Sequence, residues 1–451
     1  MITSRNGGGG AGEGKGIDCA DNQVGRQNRR NRHHKYQHQQ QQFVHHNCHD
    51  NHRLHLYRKK TIPVKAVLCV AAIGIMQVCI LAPRSIDNHH FHVLPWRSRL
   101  CEGVGGAIRF FIPEGTSYVD YIRRYLTTRN DFVWVPRSEN QTVDYYDHNG
   151  SNRKLNIGRI ANRMFDKTHL CQKHRLAHWL RNYQGEIIPP TAVIKKGVWA
   201  QVPRGFFSNS DTQRSLYFLK NSHRDNGKGV RVMEGLEKAV KNIDNMKTYV
   251  LQRHIPDMLL WENKFKFDLR MFSIATFEPN CRAKFYLYPI GYCRINPNEW
   301  ENKAKKMLQV TNVSYFKRQN SSYNLVPTTN FSDFHRVWER LKHAVTVAYA
   351  ETEDRMHPLE NEDNSKNGYM LFAFDFMVDK DYHPWLLEVN ASPGCSRNRR
   401  PKPMVDMLQH MFDQMTKLAV IPTLKPGAQP EHGDWVELDT SSVKSRSQNE
   451  K

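Results

Sequence analysis

Residues 371–394 read LFAFDFMVDKDYHPWLLEVNASPG. Two apolar runs, each long enough to be a strand, meet at the polar turn DKDYHP. Each run carries an acid where a buried strand has no ordinary use for one: Asp375 in the first, Glu388 in the second, with the amide Asn390 close behind. A carboxylate taken out of water needs a partner. Antiparallel pairing with Val378 opposite Trp385 sets Asp375 across from Glu388, with Cβ atoms about 4.5–5.5 Å apart. Asn390, two residues further on, points to the same face. Two bare carboxylates there would repel, and a divalent cation resolves the conflict. The three side chains offer only oxygen ligands, which suits Mg²⁺, an ion that takes one or two carboxylates together with phosphate oxygens and water. The alternative is that one acid pairs with an arginine or faces solvent.

A magnesium site of this kind calls for phosphate, and two other stretches could hold it. The strand SLYFLK ends in Lys220 and runs into NSHRDNGKG. There Gly227 and Gly229 let a backbone turn come close to an anion, and Lys220 and Lys228 supply charge. This is neither a Walker A loop nor a dinucleotide fingerprint. In KFKFDLRMF, the residues Lys266, Asp268 and Arg270 alternate with Phe267, Leu269 and Met271. A strand therefore shows a charged face to a cleft and an apolar face to a core. Arg294, at the end of YPIGYCRI, is expected to reach the same cleft.

The rest of the chain is read around these stretches. Residues 1–62 are rich in Gly, Asn, Gln, His and Arg and are expected to be disordered. Residues 63–83 include an apolar run at 66–82, interrupted only by Gln77 and preceded by Arg58, Lys59, Lys60 and Lys65. They read as a single membrane anchor, and the basic flank by itself sets the amino terminus in the cytosol and the downstream chain in a lumen. From there the order of strands and helices predicts an α+β protein. We expect an N-terminal α/β subdomain over 95–160, a central subdomain over 161–245, a C-terminal subdomain over 246–424 and a polar tail over 425–451. Helices are expected over 167–184, 331–353 and 404–420, and a single strand over AKFYLYPIGYCRI. The chain holds 66 Lys and Arg against 44 Asp and Glu, a formal charge of +22, so acidic partners are favoured. No nucleic acid is expected, because charge alone supports it and no recognisable reader is present. Nine cysteines without a CxxC pair point to neither a zinc module nor a disulfide framework.

Taken in order, SLYFLKNSHRDNGKGV, YVLQRHI, KFKFDLR, FYLYPIGYCRI, LQVTNVSY and FAFDFMVDKDYHPWLLEVNASPG resemble the tubulin-tyrosine ligase-like family of the ATP-grasp superfamily. CQKHRLAHWL and IIPPTAVI fit upstream, so the resemblance covers residues 156–420. It implies an ATP-grasp fold with the nucleotide between two sheet-containing subdomains, and ATP and Mg²⁺ as cofactors. It also implies Lys220 and Lys266 as nucleotide contacts, Gly227, Lys228 and Gly229 as a phosphate lid, and Gln252 beside the adenine. Asp375, Glu388 and Asn390 become the magnesium ligands, and Asp268, Arg270, Arg294 and Asn312 the substrate- and phosphate-facing set. The implied reaction is ATP-dependent ligation of a free amino acid to a protein carboxylate through an acyl phosphate. The implied acceptor is the acidic C-terminal tail of tubulin, which would set the catalytic domain toward the cytoplasm and cytoskeleton, the lumenal orientation from the basic flank being the alternative; glutamate is the first expectation for the amino acid, with glycine and tyrosine open. The match departs at Asn221, where proline is common, at VTN for LTN, and after Arg294, where RFA is usual. The alternatives are a non-catalytic nucleotide- or tubulin-binding relative, and a lumenal enzyme with another substrate.

Overall fold

In a computed structural model of the chain, the residues described are 107–112, 118–135, 145–146, 160–161, 168–207, 215–224, 227–277, 283–321, 323–356, 367–391, 393–397, 400–425 and 427–443. The expected tail over 1–62 and the expected anchor over 63–83 lie outside them. Among the described residues no helix is long and apolar enough to cross a membrane.

Three sheets organise the fold. Strands β1 (Ile108–Phe111), β2 (Phe132–Trp134) and β3 (Tyr145–Tyr146) form a small parallel sheet in the order β2-β1-β3. The short β4 (Ile160–Ala161) joins the large sheet described below. Strands β5 (Thr191–Lys195), β6 (Val198–Gln201), β7 (Leu216–Asn221), β8 (Val230–Glu234) and β9 (Thr248–Arg253) form an antiparallel sheet in the order β6-β5-β9-β7-β8. Strand β9 lies between β5 and β7, so this sheet takes in residues up to Arg253.

The large sheet of nine strands is built on β11 (Phe265–Phe277), preceded by β10 (Leu260–Trp261). Partners of β11 are β12 (Lys284–Leu287), β13 (Tyr292–Glu299) and β15 (Asn367–Val378); β14 (Asn324–Pro327) extends β13, and β16 (Pro384–Ala391) extends β15. The last strand, β17 (Val436–Leu438), pairs with β12. Trp435, just before β17, is buried in the core.

The sequence of β11, FKFDLRMFSIATF, is apolar on both faces over its second half because both faces are covered. Leu269, Met271 and Ala275 join one core with the helix Phe334–Ala350. That helix buries Val337, Leu341, Ala344, Val345 and Ala348, the spacing of one helical stripe. Phe272 and Ile274 point the other way, into a second core with the helices Val119–Thr127 and Lys402–Met415. There Phe412 stacks on Tyr118 and Tyr121 at ring distances of 5.6 and 5.1 Å. A third core lies on the five-stranded sheet.

Two expected elements divide. The stretch over 167–184 becomes two helices, Thr168–Cys171 and Lys173–Trp179, because Gln172 between them is extended at φ −79°, ψ 120°. AKFYLYPIGYCRI becomes β12 and β13. Pro289 lacks the N–H that a continued ladder would use. At Gly291 a Cβ would fall 2.2 Å from the Arg270 carbonyl oxygen, so only glycine allows this approach.

Candidate active site

A cleft lies between the five-stranded and large sheets. Phe218, Lys220, Gln252 and His254 line it from one side, and Lys266, Asp268, Arg294, Asp375 and Glu388 from the other, joined by Gln309, Thr311 and Asn312.

Its floor follows from strand register. Tyr292, Arg270, Asp375 and Glu388 are successive cross-strand partners through β13, β11, β15 and β16. One row further, Asp268 faces Arg294. Arg270 grips Asp375 with two bonds, Nε to Oδ1 and Nη2 to Oδ2, both 2.7 Å. Arg294 spans both acids: Nε donates to Asp268 Oδ1 at 2.6 Å, Nη2 to Asp268 Oδ2, and Nη2 lies 2.9 Å from Asp375 Oδ2. Thr311 Oγ1 donates to Asp268 Oδ2 at 2.7 Å. Asn390 Nδ2 donates to Asp375 Oδ2 at 3.0 Å and lies 3.5 Å from Glu388 Oε1.

The hairpin therefore gathers Asp375, Glu388 and Asn390, but by a different register from the one expected. Val378 faces Pro384, not Trp385, and an extra residue at Leu387 restores the Asp375–Glu388 pairing. Asp375 also has two arginine partners, so it is not bare. Glu388 is the more open acid. Burial alone would raise it, but the charges of Lys173, Lys220, Arg294 and Arg270 outweigh that and hold it below the usual carboxylate range. Lys173 Nζ lies 3.4 Å from Glu388 Oε2.

The lysines are held differently. Lys220 Nζ donates to Gln252 Oε1 at 2.7 Å, and Gln252 Nε2 in turn donates to Thr191 Oγ1 at 3.0 Å. Lys266 Nζ donates to Gln309 Oε1 at 3.0 Å and sits 5.1 Å from the Phe218 ring. Both ammonium groups are buried against neutral amides. Burial pushes Lys220 down to about 8, and burial together with the charge of Lys220 pushes Lys266 down to about 7. Beside them the His254 ring stacks between Phe218 and Trp300 at 6.0 and 6.4 Å. Its buried Nε2 has no hydrogen-bond partner, and burial pushes its pKa down to about 3.

The glycine loop closes one edge. Gly227 has φ +68°, a conformation that favours glycine, and its carbonyl accepts from Lys306 Nζ at 2.6 Å. At Gly229 a Cβ would fall 2.6 Å from Arg224 Cβ and 2.9 Å from Asn221 Cβ. Asn312 caps the short helix Val313–Arg318 by accepting from Tyr315 N at 3.3 Å. Lys228 is exposed and does not line the cleft. Sequence reading missed Lys173, His254, Lys306, Gln309 and Thr311. None stands in a strand with polar and apolar alternation around it, and only the folded chain brings it to the site.

The residues fit Mg²⁺ with a polyphosphate. Glu388, the Oδ1 of Asn390 and an oxygen of Asp375 form an all-oxygen donor set of the right size. Among the described residues neither amide-held ammonium group makes a direct ion pair, although the charge of Glu388 reaches Lys220. The orphaned Nε2 of His254 beside stacked rings fits the edge of a heteroaromatic base.

The profile of the Tubulin-tyrosine ligase family matches residues 152–427. Among curated proteins the chain is 26% identical over 277 residues to tubulin glycylase 3E of Tetrahymena thermophila, covering 52% of this chain and 19% of that one. It is 25% identical over 257 residues to tubulin polyglutamylase ttll-4 of Caenorhabditis elegans, covering 50% and 40%. It is 21% identical over 256 residues to the probable alpha-tubulin polyglutamylase Ttll1 of Tetrahymena thermophila, covering 50% and 58%. The chain thus spans less than two thirds of the length of each of these relatives.

Proposed function

Because the chain belongs to the tubulin-tyrosine ligase family, we propose that it is an ATP-dependent ligase that joins a free amino acid to a side-chain carboxylate in an acidic segment of tubulin. The amino acid we propose is glutamate; glycine, named by the glycylase relatives, is the outcome the test must separate from it. The observation that carries the reading is the cleft itself: two buried, amide-held lysines face a row of matched arginines and carboxylates.

Bound Mg·ATP would supply the phosphoryl group that converts the acceptor carboxylate to an acyl phosphate, from which the amine displaces phosphate to leave an amide. Glu388, Asn390 and Asp375 would hold the ion. Lys220 and Lys266 donate to the polyphosphate, exchanging their amide partners for charged ones. Arg270 and Arg294, fixed by their carboxylates, present positive charge where oxyanions develop without having to reorganise. The loop at Gly227, tied down by Lys306, keeps water from a reactive acyl group. No side-chain nucleophile is needed. A tubulin substrate puts this domain on the cytoplasmic side of any membrane to which the chain is attached.

The test is incubation of the full chain with Mg·ATP, tubulin and glutamate, glycine or tyrosine in turn, read by intact mass of the tubulin. The expected result is ATP-dependent addition of whole residues of one amino acid. Unmodified tubulin in every case would contradict the reading.

A further inference from the structure

Behind the matched row lies a cation with no acid to match it. Arg400 follows the β16 hairpin strand by one loop. Its Nη2 donates to Gly394 O at 2.8 Å and to Tyr292 Oη at 3.4 Å, and its guanidinium lies 5.0 Å from the Tyr292 ring. Tyr292 is the strand partner of Arg270, so Arg400 is one side chain away from the row that holds Asp375. Its Nη1 is buried and has no hydrogen-bond partner among the described residues. The buried hydroxyl of Tyr121, on the helix Val119–Thr127, is likewise without a partner. Arg397 completes the group. Its Nη1 donates to Gln409 Oε1 at 3.2 Å, and its guanidinium is 5.4 Å from the Tyr121 ring.

Among the described residues neither arginine makes an ion pair. The acids on the surrounding elements are engaged elsewhere: Asp120 accepts from Arg123 and Arg124, Asp406 from Lys402, and Asp413 from Gln409. A largely buried guanidinium left without an anion is costly. Both arginines keep part of their surface exposed, so an anion from outside can reach them. The planar fork of arginine matches a carboxylate with two parallel bonds.

We propose that Arg400, with Arg397, forms a carboxylate-binding subsite that fixes one of the two non-nucleotide substrates. This rests on the ligase reading. Two sources carry the required group: the α-carboxylate of the free amino acid, and an acidic side chain of the acceptor peptide.

The experiment compares the full chain with its Arg400→Met and Arg400→Lys variants, each checked by thermal melt. KM is measured separately for ATP, the amino acid and the acceptor, and binding of a fluorescently labelled oligoglutamate peptide is followed by anisotropy without nucleotide. Arg400→Met is expected to raise one KM about 10-fold, with KM for ATP held within about twofold. A rise for the amino acid assigns the subsite to the donor. A rise for the acceptor, with weaker peptide binding, assigns it to the acceptor. Arg400→Lys, which keeps the charge and loses the fork, recovers only part of the loss. Unchanged constants for both substrates and unchanged peptide binding in a folded Arg400→Met protein would overturn the proposal. If the wild-type chain ligates nothing, the ligase reading fails, and anisotropy alone then decides whether Arg400 binds carboxylates.

Discussion

The cations of the cleft are held in two opposite ways. Arg270 and Arg294 are locked by carboxylates, with Asp375 shared between them. Lys220 and Lys266 are buried just as deeply, yet their partners are the neutral amides of Gln252 and Gln309. The difference separates structure from readiness. Removing one member of a matched set strands its partners, whereas an amide-held lysine is a desolvated charge that the apo protein carries at a cost. Only the second kind has charge left over for an incoming polyphosphate.

The contrast is broken most sharply by stability. Asp375→Ala strands Arg270, while Arg294 keeps its pair with Asp268, and chemical denaturation should report a loss of about 3 kcal/mol. Lys266→Met or Lys220→Met should leave the melting temperature unchanged or raise it. Comparable losses in all three would erase the distinction. In those same lysine variants, nucleotide affinity should fall by ~30- to 100-fold, since each loses a buried charge-assisted contact; titration calorimetry reads this directly.

Proton linkage sharpens the comparison. The lowered values, about 7 for Lys266 and about 8 for Lys220, mean that the folded chain sheds protons the unfolded chain keeps. Apo stability should therefore rise with pH from about 7 toward the free-lysine value of about 10.4. Nucleotide binding needs those protons back. With both lysines bound as ammonium, affinity should fall by roughly 500-fold as pH climbs from about 7 to about 9, and binding near pH 8 should take up protons from buffer. Lys266→Met should remove most of that uptake. The smallest effect is expected at the loop: Gly227→Ala forces alanine into a left-handed conformation at a cost of about 1 kcal/mol, with its nearest neighbour, Asn312 Cβ, at a tolerable 3.7 Å.

What the sequence made legible follows the same division. An acid inside an apolar run is conspicuous, so Asp375, Glu388 and Asn390 stood out, as did the alternation of Lys266, Asp268 and Arg270. The arginine grip on Asp375 was read only as an alternative, because pairing across β11 and β15 joins residues 105 positions apart. The bulge at Leu387 was hidden, since its effect on register cancels before reaching Glu388. Gln309 and Thr311 lay in LQVTNVSY, a quoted stretch, but a single amide at a helix end or a single hydroxyl carries no periodic signal that marks it as a site residue. Lys228, a lysine between two glycines, is exposed. The membership of β9 in the five-stranded sheet was missed because a strand's sequence does not say which neighbour it will pair with.

The most direct test of the central claim is calorimetric titration of the full chain with a non-hydrolysable ATP analogue, with and without Mg²⁺, in wild type, Lys266→Met and Glu388→Gln. The account predicts saturable, magnesium-dependent binding in wild type, severe weakening in Lys266→Met, and loss of the magnesium dependence in Glu388→Gln. Binding of equal strength with and without the ion, or undiminished in Lys266→Met, would contradict it.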